Sequence, residues 1–149
     1  LGKRIKNIEN AKAKLLKNNI KIIKTSSYYE TLSWPNPLLP KFYNIVLKIK
    51  TSLNELQLLD LCTNIEKSLG RKKTLKNAPR VCDIDILDYD KTLKSNQIHL
   101  PHPRMHKRNF VLMPLFEINK EWKHPVTKQH IKKLIFSLSN KDISSIKLI

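Results

Sequence analysis

Two hydrophobic periods alternate along this chain, and together they exclude any architecture built from one kind of element. From Leu1 to Lys17 the apolar residues Ile5, Ile8, Ala11 and Leu15 recur every three or four positions, the spacing of one helix face, and Asn18-Asn19 ends the run. Ile20–Lys24 is short and β-branched, as a strand is. Phe42–Lys50 alternates, with Tyr43, Ile45, Leu47 and Ile49 on one face and Asn44, Lys48 and Lys50 on the other, which predicts one half-buried strand. Between them Leu32–Lys41 carries Pro35, Pro37 and Pro40, residues without amide donors, and reads as a loop. Ser52 and Glu55 have the spacing of a capping box for a helix with Leu56, Leu59, Ile65 and Leu69 inward and Gly70 as its stop. Beyond it a basic connector, Arg71–Arg80, is expected to be a mobile loop, and Val81–Leu87 is expected to be a strand. Leu100–Arg108 is a Pro- and His-rich turn region, and Asn109–Ile118 an apolar segment interrupted by Pro114. A last helix is predicted over Lys128–Leu138, with Ile131, Leu134, Ile135 and Leu138 inward and Thr127 as its cap. Strands and helices mixed in this way predict an α+β fold.

With 149 residues, 40% of them hydrophobic, the chain is expected to form a single domain over residues 1–149. No apolar run reaches the roughly 18 residues of a membrane span, and the first residues are too charged for a secretory leader, so a cytoplasmic protein is expected. Cys62 and Cys82 lie in apolar segments and read as two buried thiols. A net charge of +17 raises the possibility of a nucleic-acid-binding domain, because clustered cations neutralise phosphates. Yet only five of the 29 cations are Arg, and the Lys residues are spread through every segment as solvated faces would be, which disfavours nucleic acid. Four of those five Arg fall between Arg71 and Arg108, and Arg grips phosphate bidentately.

Strand alternation in Cys82-Asp83-Ile84-Asp85-Ile86 sends Asp83 and Asp85 to one side. Their Cα atoms would then lie about 6.5 to 7 Å apart, close enough to share one hard cation or bridge two, with phosphate oxygens as the other ligands. An exposed acidic face is the plainer alternative. The surroundings favour metal and phosphate: a chain with only 12 acidic residues puts two of them directly after Pro79-Arg80 and a cationic loop. His99, His102 and His106 cluster in the turn region, but a structural zinc site needs four ligands, usually with Cys among them, and neither Cys is near in sequence. His and Arg as phosphate or ribose contacts fit better. Phe42 and Phe110 are core residues by default; if their loops border one cleft, the rings could instead sandwich a flat heterocycle, with Asn44 reading its edge.

The segments Pro79–Leu87 and Leu100–Leu115, the latter opening Leu-Pro-His-Pro-Arg-Met-His-Lys-Arg-Asn-Phe, resemble the paired signatures of the hydroxymethyldihydropterin pyrophosphokinases. Ser26–Thr31, Phe42-Tyr43-Asn44, Ile65-Glu66 and Gly70-Arg71 fall in that family's order and spacing, so the resemblance spans nearly the whole chain. It implies a ferredoxin-like antiparallel or mixed sheet packed with helices, and transfer of the diphosphate of ATP to 6-hydroxymethyl-7,8-dihydropterin with release of AMP, in folate biosynthesis. It also implies that Asp83 and Asp85 bind two Mg²⁺ ions and that Asp85, with Arg71 and Arg80, serves the transfer. Glu66, Lys73, Arg80, Ile86, His102 and Arg108 match ATP-holding positions, and Thr31, Phe42, Asn44 and Phe110 match the pterin pocket. The loops Leu32–Lys41 and Arg71–Pro79 are expected to close over the substrates, and a monomer is expected.

Three departures from the family stand out. Its first strand, ending Gly-Ser-Asn inside the sheet, has no counterpart before Leu1-Gly2, so the chain is expected to be incomplete at its start, with a catalytically degenerate ATP-binding homologue as the alternative. Asn77 stands where the basic loop often has an aromatic, and Leu32-Ser33-Trp34-Pro35 replaces a Pro- and Gly-rich stretch.

Overall fold

A computed structural model describes residues 2–33, 36–70 and 81–149. The expectations for Leu1, Trp34, Pro35 and the basic connector, with Arg71, Lys73, Asn77 and Arg80, lie outside the described residues.

The first helix, α1, is Gly2–Lys17, and it buries Ala11 and Leu15 on the expected face. It ends as foreseen: the Asn18 side chain donates to the Lys14 carbonyl at 2.8 Å, and Asn19 takes the left-handed turn at φ 62° that Asn tolerates. Strands β1 (Lys21–Thr25) and β2 (Tyr29–Thr31) follow.

The strand predicted over Phe42–Lys50 is two strands, β3 (Phe42–Asn44) and β4 (Leu47–Lys50). The cause is Val46, which turns into the interior and is 7% exposed. Its N–H donates to Ser26 Oγ at 2.9 Å, and its carbonyl accepts the Ser26 N–H at 3.0 Å. The pleat is broken there, so β4 pairs antiparallel with β1, whereas β3 pairs antiparallel with β2.

Helix α2, Glu55–Ser68, starts two residues later than the Ser52 signal implies: its capping box is Asn54 with Gln57, each side chain accepting from the other's backbone N–H at 2.9 Å. The buried face also differs from the expected one. Leu58, Cys62, Ile65 and Glu66, spaced four, seven and eight residues along one stripe, are inside, and Leu56, two residues before that stripe begins, is 41% exposed. Gly70 stops the helix at φ 98°.

No strand is assigned to Val81–Leu87; the segment runs extended without a ladder partner among the described residues. Its alternation survives nonetheless, with Cys82, Ile84 and Ile86 packed against the cluster of Ala11, Leu15, Ile20, Leu58, Cys62 and Ile65. Both cysteines are free, Cys62 buried and Cys82 half-buried.

Short strands β5 (Lys94–Ser95) and β6 (His99–Leu100) form a hairpin before a 3₁₀ turn at Met105–Lys107. The apolar segment after it is helix α3, Asn109–Ile118, which contains Pro114. Pro114 is the sixth of its ten residues, so the helix forgoes one bond there, the proline having no N–H to offer the carbonyl four residues back. Helix α4 is Ile131–Phe136, shorter than predicted, and its cap is His130, not Thr127: the imidazole accepts the Lys132 N–H at 3.1 Å. Helix α5 (Asn140–Ser145) and strand β7 (Lys147–Leu148) complete the chain, β7 pairing with β2 on the edge opposite β3. A second apolar cluster joins Val46, Met105 and the inner face of α3 to Trp122, Ile131 and Leu134. The α+β class is as predicted, with every strand pairing antiparallel among the described residues. None of the described helices is long and apolar enough to cross a membrane.

Candidate active site

The extended segment Val81–Leu87 exposes Asp83 and Asp85 while its alternate residues pack inward. With no neighbouring strand among the described residues, its amides need other acceptors. Glu66, only 4% exposed on α2, supplies one: its Oε1 accepts the Ile84 N–H, between the two aspartates, at 2.7 Å. At the segment's end the Leu87 carbonyl accepts the His102 N–H at 2.8 Å, which fastens the Pro- and His-rich turn beside Asp85.

That turn presents two side chains to one carboxylate oxygen. Arg108 Nη1 lies 3.7 Å and His102 Nε2 4.0 Å from Asp85 Oδ2. His102 Nδ1 accepts the Arg104 N–H at 3.2 Å, which leaves Nε2 to carry the proton and face Asp85. Burial lowers the His102 pKa; the Asp85 charge opposes this, Arg108 and Arg104 reinforce it, and the result lies below 6.5. At neutral pH the ring is therefore an uncharged donor. The Arg108 guanidinium also sits 5.3 Å over the Phe110 ring, so one cation touches both the carboxylate and the aromatic.

The register of β2 with β3 sets Thr31 opposite Phe42 and Tyr29 opposite Asn44. Paired and alternate residues share a face, so these four side chains lie on one side and Glu30 and Tyr43 on the other. Asn44 Nδ2 donates to Thr31 Oγ1 at 3.3 Å, and Phe42 is 45% exposed on this face, outside the core. Helix α3, which carries Phe110, packs over β2 and β3.

Of the residues singled out in the sequence, the structure thus joins Asp85, His102, Arg108 and Phe110 through direct contacts, and Thr31, Phe42 and Asn44 through strand register. Glu66 lies behind the aspartates, holding their backbone, and Ile86 packs its side chain inward. Arg71, Lys73 and Arg80 lie outside the described residues.

Sequence reasoning missed Glu117. From α3 it accepts Ser27 N–H at 2.9 Å, Ser27 Oγ at 2.7 Å and the Tyr29 hydroxyl at 2.8 Å, and so ties α3 to the start of β2. Burial raises its pKa, but these hydrogen bonds outweigh burial and leave it lowered; Tyr29, through burial and then Glu117, is pushed up to about 12. A single carboxylate in an apolar helix of an acid-poor chain was the available signal. Asn109, directly after Arg108, was missed as well.

No group of three or more His, Cys, Asp and Glu is arranged for a metal among the described residues. Two carboxylates with Arg108 beside the second instead suit Mg²⁺, which takes one or two carboxylates and completes its shell with water and other oxygen ligands.

The model of the family described as 7,8-dihydro-6-hydroxymethylpterin-pyrophosphokinase matches residues 1–120. The chain is 41% identical over 147 residues to the folic acid synthesis protein fol1 of Pneumocystis carinii, covering 98% of this chain and 20% of that protein. It is 39% identical over 134 residues to the 2-amino-4-hydroxy-6-hydroxymethyldihydropteridine pyrophosphokinase of Aquifex aeolicus, covering 89% of this chain and 83% of that one. The protein of the same name from Bacillus subtilis is 42% identical over 100 residues, 66% of this chain and 60% of its own length. The chain therefore spans about a fifth of the fol1 protein and most of the Aquifex one.

Proposed function

This chain belongs to the 7,8-dihydro-6-hydroxymethylpterin-pyrophosphokinase family, and from that premise we propose that it transfers the terminal diphosphate of ATP to the hydroxymethyl group of 6-hydroxymethyl-7,8-dihydropterin, releasing AMP, in folate biosynthesis. One observation carries the reading to this chain's own residues: Arg108 lies against Asp85 on one side and over the Phe110 ring on the other, so phosphate chemistry and a flat aromatic slot share one side chain.

The pterin ring lies between Phe110 and Phe42, with Asn44 and Thr31 hydrogen-bonding its edge. Arg108 and neutral His102 hold the triphosphate, and Arg71, Lys73 and Arg80 add cationic contacts from the basic connector. Ile86 offers its backbone beside the adenine. Glu66 fixes Ile84 and thereby the separation of the aspartates. Asp83 and Asp85 would hold two Mg²⁺ ions, which would offset phosphate charge and lower the pKa of the substrate hydroxyl. The hydroxyl oxygen bonds to the β-phosphorus in line, the bond from that phosphorus to the α,β-bridging oxygen breaks, AMP leaves with that oxygen, and the hydroxyl proton passes to solvent. Catalysis on this account is positioning and electrostatics, with no covalent enzyme intermediate.

The test is incubation with Mg-ATP and 6-hydroxymethyl-7,8-dihydropterin, following nucleotide and pterin together. AMP and pterin diphosphate should form in equal amounts; ADP as the product would sink the proposal. Asp85→Ala should abolish turnover with the melting temperature nearly unchanged, since this side chain is 53% exposed. Near-normal turnover in that variant would remove the carboxylate from the mechanism.

A further inference from the structure

We propose that the C-terminal segment Asn140–Ile149 is a strap that sets the spacing between the two walls of the pterin slot, and that Asn109 is the positioning residue through which it acts. The identity of the slot rests on the functional reading above; the strap lies in residues 121–149, beyond the part that the family model matches.

Asn109 sits between Arg108 and Phe110, and its amide is used at both ends. Its Oδ1 accepts the Phe110 N–H at 2.7 Å, while its Nδ2 donates to the Asp142 carbonyl at 2.6 Å and to Ser145 Oγ at 3.3 Å. The first bond matters because Arg108, at the N-cap of α3, offers no side-chain cap, so Asn109 takes up an amide that would otherwise be open. The other two bonds fasten this helix start, and with it the Phe110 wall, to α5.

The same segment then reaches the opposite wall. Past α5, Lys147 pairs with Glu30 and Leu148 with Tyr29, and the Ile149 N–H donates to the Tyr28 carbonyl at 3.0 Å. Strand β2 carries Thr31 and sets the register of Phe42 and Asn44. A cavity of about 150 Å³ is lined by Thr31 and Leu32 on one side and by Ser145 and Lys147 on the other, so the strap borders this wall.

The geometry also defines which motion the strap removes. Glu117 pins the C-terminal part of α3 to Ser27 and Tyr29. The core holds the helix middle through Val111, Leu112 and Leu115, so the freedom that remains is at its first turn, where a shift would move Phe110 relative to β2. Asn109 fixes the other end.

Asn109→Asp keeps the acceptor for Phe110 N–H but replaces the donor to α5 with an oxygen facing the Asp142 carbonyl. Deletion of residues 140–149 removes the strap. Each should raise the KM for the pterin by about tenfold, the loss of one or two hydrogen bonds, with a smaller change in the KM for ATP. Combined, they should again cost about tenfold and not a hundredfold, because both remove the same connection. Additive losses, or equal losses for both substrates, would show that the segment is structural only. Since deletion can destabilise the edge of β2, the full-length Asn109→Asp protein decides on its own: a pterin KM within about twofold of the parent, less than one hydrogen bond is worth, overturns the strap. A parent chain that makes no AMP would instead remove the functional reading, and the strap's role with it.

Discussion

Arg108 occupies a helix N-cap, a position that favours Ser, Thr, Asp or Asn and at which a positive charge opposes the helix dipole. Its location follows from what it touches. The contact to Asp85 at 3.7 Å, half in water, is worth little, and the stacking on Phe110 contributes somewhat less than or about 1 kcal/mol. Arg108→Ser would lose both and gain a side-chain cap of about 1 kcal/mol, so denaturant unfolding should place it within about 1 kcal/mol of the parent. Nucleotide affinity, read by calorimetry with Mg-ATP, should fall by about tenfold or more, as expected for a charge-assisted phosphate contact. A large loss of stability with affinity intact would reverse the assignment. At this scale the sequence was informative where rare residue types stand out, paired aspartates in an acid-poor chain and arginines in a lysine-rich one, and the structure sets one of each, Asp85 and Arg108, side by side. Asn109 and Glu117 escaped notice because their roles depend on partners 33 and 90 positions away.

Among the elements, Val81–Leu87 shows what alternation does and does not establish. The inward and outward residues were legible, since packing against α1 and α2 needs only an extended chain; the ladder was not, because it needs a second backbone. Glu66 stands in for one of its bonds. Glu66→Gln retains an oxygen for the Ile84 N–H and should cost little, whereas Glu66→Ala leaves that amide without its acceptor and should destabilise by about 1 to 3 kcal/mol in urea unfolding. Equal stability of the two variants would discard the role. The connection from α3 to α4 makes a different prediction. His124 is 6% exposed, its Nδ1 accepts the Val126 and Thr127 N–H groups, its ring meets those of Trp122 and His106 edge to face, and the Trp122 indole donates to Asp88. Burial lowers its pKa below 6.5, His106 adds to this and Asp88 opposes it. With the folded value below the unfolded one, the unfolded chain binds more protons in acid, so stability falls as pH drops below about 6.5. His102 is lowered too and shares the trend. His124→Asn keeps an acceptor without titrating, so its melting temperature should fall less between pH 7 and about 5 than the parent's; parallel profiles would absolve His124.

For the molecule as a whole, the dominant quantity is the charge of +17. The dispersal of the lysines was legible in the sequence; their mutual placement was not, because it depends on register. The structure sets Lys21 opposite Lys50 and Lys24 opposite Lys48 across the β1 and β4 ladder, and like charges directly opposed destabilise a sheet. Such contacts compound the general self-repulsion of a strongly cationic fold. Both are screened by salt over about 10 Å at 0.1 M. Stability should therefore rise with ionic strength, and replacing Lys48 with Glu, which sets opposite charges across from Lys24, should both stabilise the chain and reduce that dependence. The proposed ATP binding would draw on the same field with the opposite sign, since cations that repel one another attract a polyanion; its affinity should fall as salt is raised. Melting curves and ATP titrations over one range of sodium chloride would then move in opposite directions. If both weakened together, the cations would owe their placement to specific ion pairs in the fold rather than to tolerated repulsion.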